Sequence, residues 1–457
     1  MQRARRTGRV VVTGVEHQRR GINSIGAMLS VMASARHDPF ARMLNVDLIA
    51  VLVAVLLPWS TSGVGIGMLV WLAALAATLE LRPFLRSLQR PICALPIALV
   101  ALAALGTLWS DATWGVRSYA LSPVTKLLVL PLLFYHFERS SRGMWVFVAF
   151  LVSCVLLMVM SWLMLIYPGL TLKHDDVERG IFVKNYIDQS QEFALCSVVL
   201  AYPIITLLRQ RKIWQALLLV AVTASLIANM TFVIVSRTAL VTMPIMLAVF
   251  ALMHLKWRTN LMLFSAAIVL GALAWMASPQ LQMTTEKFSR DYRIYKERNQ
   301  PTSIGLRLEF WTKSLRFFTE APIAGHGTGS TRGLFEAAAT GPAVLVQGQV
   351  IGNPHNQTLN VAVQWGSIGV VILYAMWLAH LLLFRGEGLV AWIGLMVVLQ
   401  NFFSSLFNSH LFDFHEGWMY VLGVGVAGGM ALRANAAEAP ENVVREAIRK
   451  PVSPPGP

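Results

Sequence analysis

Long apolar runs separated by short polar segments make up most of this chain. The runs cover about 46–60, 62–80, 91–109, 118–137, 143–167, 190–208, 213–234, 238–254, 260–278, 358–384, 388–407 and 414–432. A helix needs about 20 predominantly apolar residues to cross the hydrocarbon core of a bilayer. The pattern therefore predicts an all-α polytopic membrane protein with about 12 transmembrane helices. Pro58 ends the first run, and Ser236-Arg237-Thr238 marks a re-entry in an otherwise continuous stretch from 213 to 254.

The polar remainder divides the chain. Residues 1–45 form a basic cytoplasmic leader, 46–278 carry spans one to nine, and 279–357 form a long outer loop. Residues 358–432 carry spans ten to twelve, and 433–457 form a cytoplasmic tail. The first run stands behind a mostly polar leader, which is not the pattern of a cleavable signal peptide. The short loops assigned to the inner side, such as Leu81–Arg90 and Arg209–Lys212, are basic. The outer loops 61–62 and 408–413 contain no Lys or Arg. Basic residues collect on the cytoplasmic side, so both termini are placed inside and the long loop outside.

Within the outer loop, Leu308, Trp311, Leu315 and Phe318 recur at helical spacing over Ser303–Glu320. They predict an amphipathic helix whose basic face, with Arg307, Lys313 and Arg316, lies along the outer leaflet. A second outer loop, Pro168–Gln189, holds Lys173, His174, Asp175, Asp176 and Arg179.

Composition narrows the function classes. Hydrophobic residues make up 56% and charged residues 13%, against roughly 25% charged in soluble domains. A soluble enzyme, a disordered chain and a fibre are excluded. The net charge of +15 is read as topogenic, not as nucleic-acid affinity. Cys93, Cys154 and Cys196 lie in or beside apolar runs and give neither a disulfide framework nor a metal pattern.

Four polar features stand out. Arg237 lies between apolar stretches at the outer boundary, where it either snorkels or meets an anion. Its planar fork suits phosphate oxygens. Arg307, in Gly305-Leu306-Arg307, lies beside the apolar stripe and is read as a surface basic residue pairing with lipid phosphate or with Glu309. In Asn353-Pro354-His355-Asn356, Asn353 is expected as N-cap and Pro354 as first helical residue, placing His355 in the first turn. There it is either a hydrogen-bonded interfacial histidine or a neutral general base. Gly325-His326-Gly327-Thr328-Gly329 lacks the lysine of a phosphate loop and is read as a turn that lets backbone approach a ligand. His410, Asp413, His415 and Glu416 are read as caps and interfacial contacts, and Lys126 as snorkelling.

These motifs, in this order, resemble a known family. Leu108-Trp109-Ser110-Asp111, Ser236-Arg237-Thr238, Gly305-Leu306-Arg307 with Trp311, Gly325-His326-Gly327 and Pro354-His355-Asn356 are similar to the O-antigen ligase and polymerase superfamily, nearest to the lipopolysaccharide O-antigen ligases. The resemblance spans roughly 45–430. It implies a GT-C-like fold in the bacterial inner membrane and a metal-independent, inverting glycosyl transfer on the periplasmic side. The donor would be O-antigen on undecaprenyl pyrophosphate and the acceptor a sugar hydroxyl of lipid A–core. It implies no cofactor, with membrane lipids as surroundings and no nucleic acid. Arg237 and Arg307 would bind the pyrophosphate, and His355 would be the base. Arg179 is added as a third pyrophosphate contact from its place in an outer loop. An O-antigen polymerase on the same carrier stays open. So does a transporter, although the notable polar residues gather at the outer boundary and not at the midplane.

Overall fold

A computed structural model describes residues 39–172, 180–298, 302–338, 345–346, 349–350 and 352–449. Each of the expected apolar runs is helical. The helices are α1 (Pro39–Leu56), α2 (Thr61–Ala76), α3 (Leu81–Ser87), α4 (Pro91–Leu105), α5 (Trp114–Arg139) and α6 (Gly143–Ile166). They continue as α7 (Tyr186–Arg209), α8 (Ile213–Phe232), α9 (Arg237–His254) and α10 (Trp257–Ala277). The loop helices are α11 (Pro279–Arg298), α12 (Ser303–Glu320) and α13 (Ser330–Ala337), and the chain ends with α14 (Gln357–Leu383), α15 (Leu389–Ser404) and α16 (Phe414–Arg449). A short antiparallel ribbon pairs Leu345–Val346 with Gln349–Val350.

Among the described residues, 7 helices are long and apolar enough to cross a membrane: α5 to α10 and α14. An eighth forms if α2 and α3, bent by 119°, make one broken span, and α4 and α15 are shorter apolar helices. The chain is a multi-pass helical membrane protein. The physical basis is plain in α6, whose 24 residues contain no Asp, Glu, Lys or Arg. Its backbone polar groups are satisfied within the helix, as hydrocarbon requires.

Two local devices shape the bundle. Pro131 has no N–H to offer the Leu127 carbonyl, and α5 tightens into a 3-10 segment at Lys126–Leu128. In α16, Gly425, Gly428 and Gly429 leave room for Leu133, Phe134 and Phe137 of α5. Without a Cβ the two backbones approach closely, the usual route to helix packing in lipid. Trp71, Trp365, Trp377, Trp392 and Tyr420 fill the interior.

The glycine-rich turn meets the protein's own backbone. Gly366 interrupts α14 with φ 60° and ψ −157°. Into that break fit Gly325 and Gly327, themselves at φ 65° and 86°. His326 N–H donates to Val363 O at 2.9 Å and Gly327 N–H to Gln364 O at 2.8 Å. A Cβ on Gly327 would fall 2.7 Å from the Ser110 backbone, so this turn also packs against the Trp109-Ser110 segment. The ring of His326 reaches the Phe317 carbonyl at 2.8 Å. The turn thus fastens α12 to α14.

The packed face of α12 differs from the expected one. Phe310, Ser314 and Phe317 are buried, while Leu308 and Leu315 are exposed. The buried stripe is rotated by one residue, roughly 100°. Phe310 and Phe317 pack edge-on against Phe335, and Val363 of α14 completes the cluster. Aromatic burial against a preformed helix outweighs the equally regular Leu308/Leu315 stripe. The rotation brings Arg307, one turn before Phe310, onto the inward side.

Candidate functional site

The start of α9, the loop helices, the segment before α14 and the 405–413 loop meet at one end of the bundle. There the structure brings together Arg237, Arg307 and His355. Arg179 lies outside the described residues, as do His174, Asp175 and Asp176.

Arg237 is the first residue of α9, with Ser236 before it in extended conformation. Its guanidinium donates to Ser303 Oγ at 3.1 Å and to Asp291 Oδ2 at 3.4 Å. Ser303 Oγ also donates to Asp291 Oδ2, at 3.1 Å. The arginine is therefore held by α11 and α12 and carries one loose acidic partner. Sequence reading missed Asp291, which sits within a highly charged helix.

Arg307 is half-buried and makes no hydrogen bond or ion pair among the described residues. Burial pushes its pKa down from the ordinary arginine value, and the Arg237 guanidinium pushes the same way; the Tyr186 hydroxyl gives a small opposing contribution. The Glu309 pairing considered for it goes instead to Lys313, at 2.6 Å. Arginine stays protonated in proteins, so this is a desolvated cation without an anion.

His355 does not lie in the first turn of a helix. Asn356 is the N-cap of α14, its side chain accepting from Leu359 N–H at 3.1 Å. Asn353 caps only locally: its Oδ1 accepts from His355 N–H at 2.9 Å and from Ser409 O–H at 2.8 Å. The shift arises because Asn356 reaches the free amides of α14 directly, while the chain before it turns through His355 at φ 52°. A positive φ costs a non-glycine residue roughly 1–2 kcal/mol. Here Asn353 at the backbone N–H and Asn408 at the ring hold it.

The side chain of His355 is held as firmly. Its Nδ1 lies 2.9 Å from Asn408 Oδ1, and Asn408 Nδ2 donates to Asp413 Oδ2 at 2.7 Å. The carboxylate accepts only, so the amide must present its oxygen to the imidazole. That assigns the proton to Nδ1 and leaves the Nε2 lone pair free, with no hydrogen-bond partner among the described residues. Phe310 lies against the ring at 6.3 Å, and Trp311 Nε1 donates to Pro354 O at 3.1 Å. The helix bearing Arg307 is thereby packed on the segment bearing His355.

Burial lowers the pKa of His355. The Asn408 hydrogen bond opposes the shift, and Arg307 and His410 reinforce it. The direction favours the neutral imidazole, on account of burial and not of a helix N-terminus. His410, almost fully buried, is pushed down to about 4 by burial, with Asp413 opposing. Asp413 is pushed up to about 6 by burial and by Glu416, with His410 and Lys126 opposing.

His410, Asp413, His415 and Glu416 are more than interfacial caps, because they enter a buried polar network. His415 meets Glu192 at 2.5 Å. Among the described residues, His410, Asp413 and Glu416 form a group with ligand atoms within 4.8 Å of one another, a donor set able to hold a cation. Asn408 gave no sequence signal, since its role depends on a fold contact 53 residues away in the chain.

A cavity of about 1270 Å³ adjoins the site. Asn353, Asn360, Gln364, Ser409 and Asp413 line its polar part, and Met68, Leu69, Leu72 and Leu132 its apolar part. The polar lining is shared with the clamp around His355.

No curated protein gave a match to the chain. Residues 222–374 match the family model of the O-antigen ligases. The matched stretch includes Arg237, Arg307 and His355, and the family is enzymatic, of ligase or polymerase type. Two arginines and a tautomer-locked histidine, gathered from separate parts of a multi-pass bundle, thus fall within the stretch of this chain that is similar to the O-antigen ligase family.

Proposed function

We propose that the protein is an O-antigen ligase. It moves O-antigen from undecaprenyl pyrophosphate to a sugar hydroxyl of lipid A–core, on the periplasmic side of the bacterial inner membrane. The observation that carries this reading is the half-buried, unpaired Arg307 beside Arg237 and beside a histidine whose Nε2 is free.

Arg307 and Arg237 take the donor pyrophosphate. The acceptor oxygen forms a bond to the anomeric carbon as the bond from that carbon to the phosphate oxygen breaks. The electron pair leaves with the lipid pyrophosphate, and the guanidiniums stabilise its growing charge. The acceptor proton passes to His355 Nε2. Attack opposite the leaving group inverts the anomeric carbon. The reaction uses fixed cations in place of a metal. The bundle is read as GT-C-like, with 279–357 as the periplasmic loop and 1–45 and 433–457 in the cytoplasm. Arg179 is kept as a third phosphate contact on its loop position alone.

A lipopolysaccharide gel of a deletion strain tests the assignment. Loss of the whole ladder from lipid A–core, with carrier-linked polymer accumulating, is the expected result. A single repeat remaining on the core would instead identify a polymerase, and complementation by the Arg307→Ala gene would remove the role given to that arginine.

A further inference from the structure

Lys126 is a lysine inside a candidate span, yet it does not snorkel. It is buried, with 7% of its surface exposed, at the 3-10 break of α5. Its ammonium crosses to the 405–413 loop and donates to Phe412 O at 3.1 Å and also to Asp413 O. A second observation concerns Gly417. A Cβ there would collide with the Lys126 ammonium and fall 2.6 Å from the Leu411 carbonyl, so α16 has a glycine where the lysine and the loop pass together. Asp413 and Glu416 are the acidic groups that face the ammonium, but it makes no ion pair with either among the described residues. Its hydrogen bonds go to main-chain carbonyls, and the Asp413 carboxylate remains available to Asn408.

We propose that Lys126 is a positioning residue for the proposed base: its ammonium pins the 405–413 loop, and through Asn408 that loop holds His355 in its Nδ1–H form. The same loop supplies Ser409, which donates to Asn353, the residue that holds the His355 backbone at positive φ. One buried cation thus fixes both attachments of the histidine. A point charge on a flexible stem suits two converging carbonyls better than a planar fork. The inference rests on His355 being the base.

The test is steady-state transfer by the purified full-length protein, with lipid-linked donor and lipid A–core acceptor. Lys126→Met should lower kcat by roughly 10–100-fold, the scale of a small misplacement of a catalytic group, with both KM values unchanged. Asn408→Ala should act through the same link. The Lys126→Met/Asn408→Ala double variant should therefore be no slower than the slower single variant. Multiplicative losses would overturn the proposal. So would a raised KM with unchanged kcat, which would place the ammonium in substrate binding at the adjoining cavity. Gly417→Ala keeps the charge but displaces it, and should reproduce the kcat loss and the non-additivity. It serves if Lys126→Met does not fold, and a normal kcat in Gly417→Ala overturns the proposal equally. His355→Gln separates the levels. If it retains turnover, the base assignment fails. If it is inactive while Lys126→Met is normal, only the positioning role fails.

Discussion

Arg307 separates function from stability more sharply than any other residue here. It makes no hydrogen bond or ion pair among the described residues that its removal would break, and burial and Arg237 both act against its charge. Arg307→Ala should therefore leave the melting temperature unchanged or slightly raised, since a desolvated cation is removed without orphaning a partner. Its effect on transfer should be large. A hydrogen bond to a charged group contributes about 1.5–3 kcal/mol, and a fork on pyrophosphate makes two. Loss of both gives about 3–6 kcal/mol, or roughly 10²–10⁴ in kcat/KM at 1.36 kcal/mol per decade. Arg307→Lys keeps one point charge and should recover only part of this. The assay is transfer from lipid-linked donor by purified protein in nanodiscs, beside thermal unfolding of the same samples. Near wild-type turnover in Arg307→Ala would refute the clamp. An equal loss of activity and melting temperature would refute the claim that the cation is free in the resting protein.

Arg237→Ala should behave differently, losing transfer and also about 1–3 kcal/mol of stability, because it leaves the Asp291 carboxylate without its cation; chemical unfolding would show the contrast with Arg307→Ala. His355→Gln should lower turnover by roughly 10²–10⁴, and the wild-type rate should fall on the acid side with a limb below about 6.5, since burial favours the neutral ring and the active form is neutral. An acid limb unchanged in a still-active Gln variant would show that the proton leaves elsewhere. Gly366→Ala should destabilise by at least about 1–3 kcal/mol, as a Cβ at φ 60° would strike the Ile323 carbonyl; normal unfolding would mean the α14 break is not held as described. Transfer should survive EDTA, and a strict need for a divalent ion would point to His410, Asp413 and Glu416 as its ligands.

The chain's own pattern was enough to determine the helical membrane architecture. Apolar runs of spanning length admit few other structures in lipid, where every backbone polar group needs an internal partner. The glycine-rich motif was also legible as a turn, because glycine marks such positions wherever it lies. Which side of α12 faces inward was not legible: two apolar stripes compete within the helix, and only Phe335 and Val363, supplied by other segments, select Phe310 and Phe317. The cap of α14 was misplaced for a similar reason. Asn353 and Asn356 are both able caps, and Ser409, 56 residues away, captures the first of them. The tautomer of His355 depends on Asn408 and Asp413, and the pinning of their loop on Lys126, 286 residues from Phe412. Periodicity reports what lies within a turn or two of a residue. The proton on an imidazole, the partner of a buried ammonium and the charge left uncompensated on Arg307 are set by groups that only folding brings within hydrogen-bond reach.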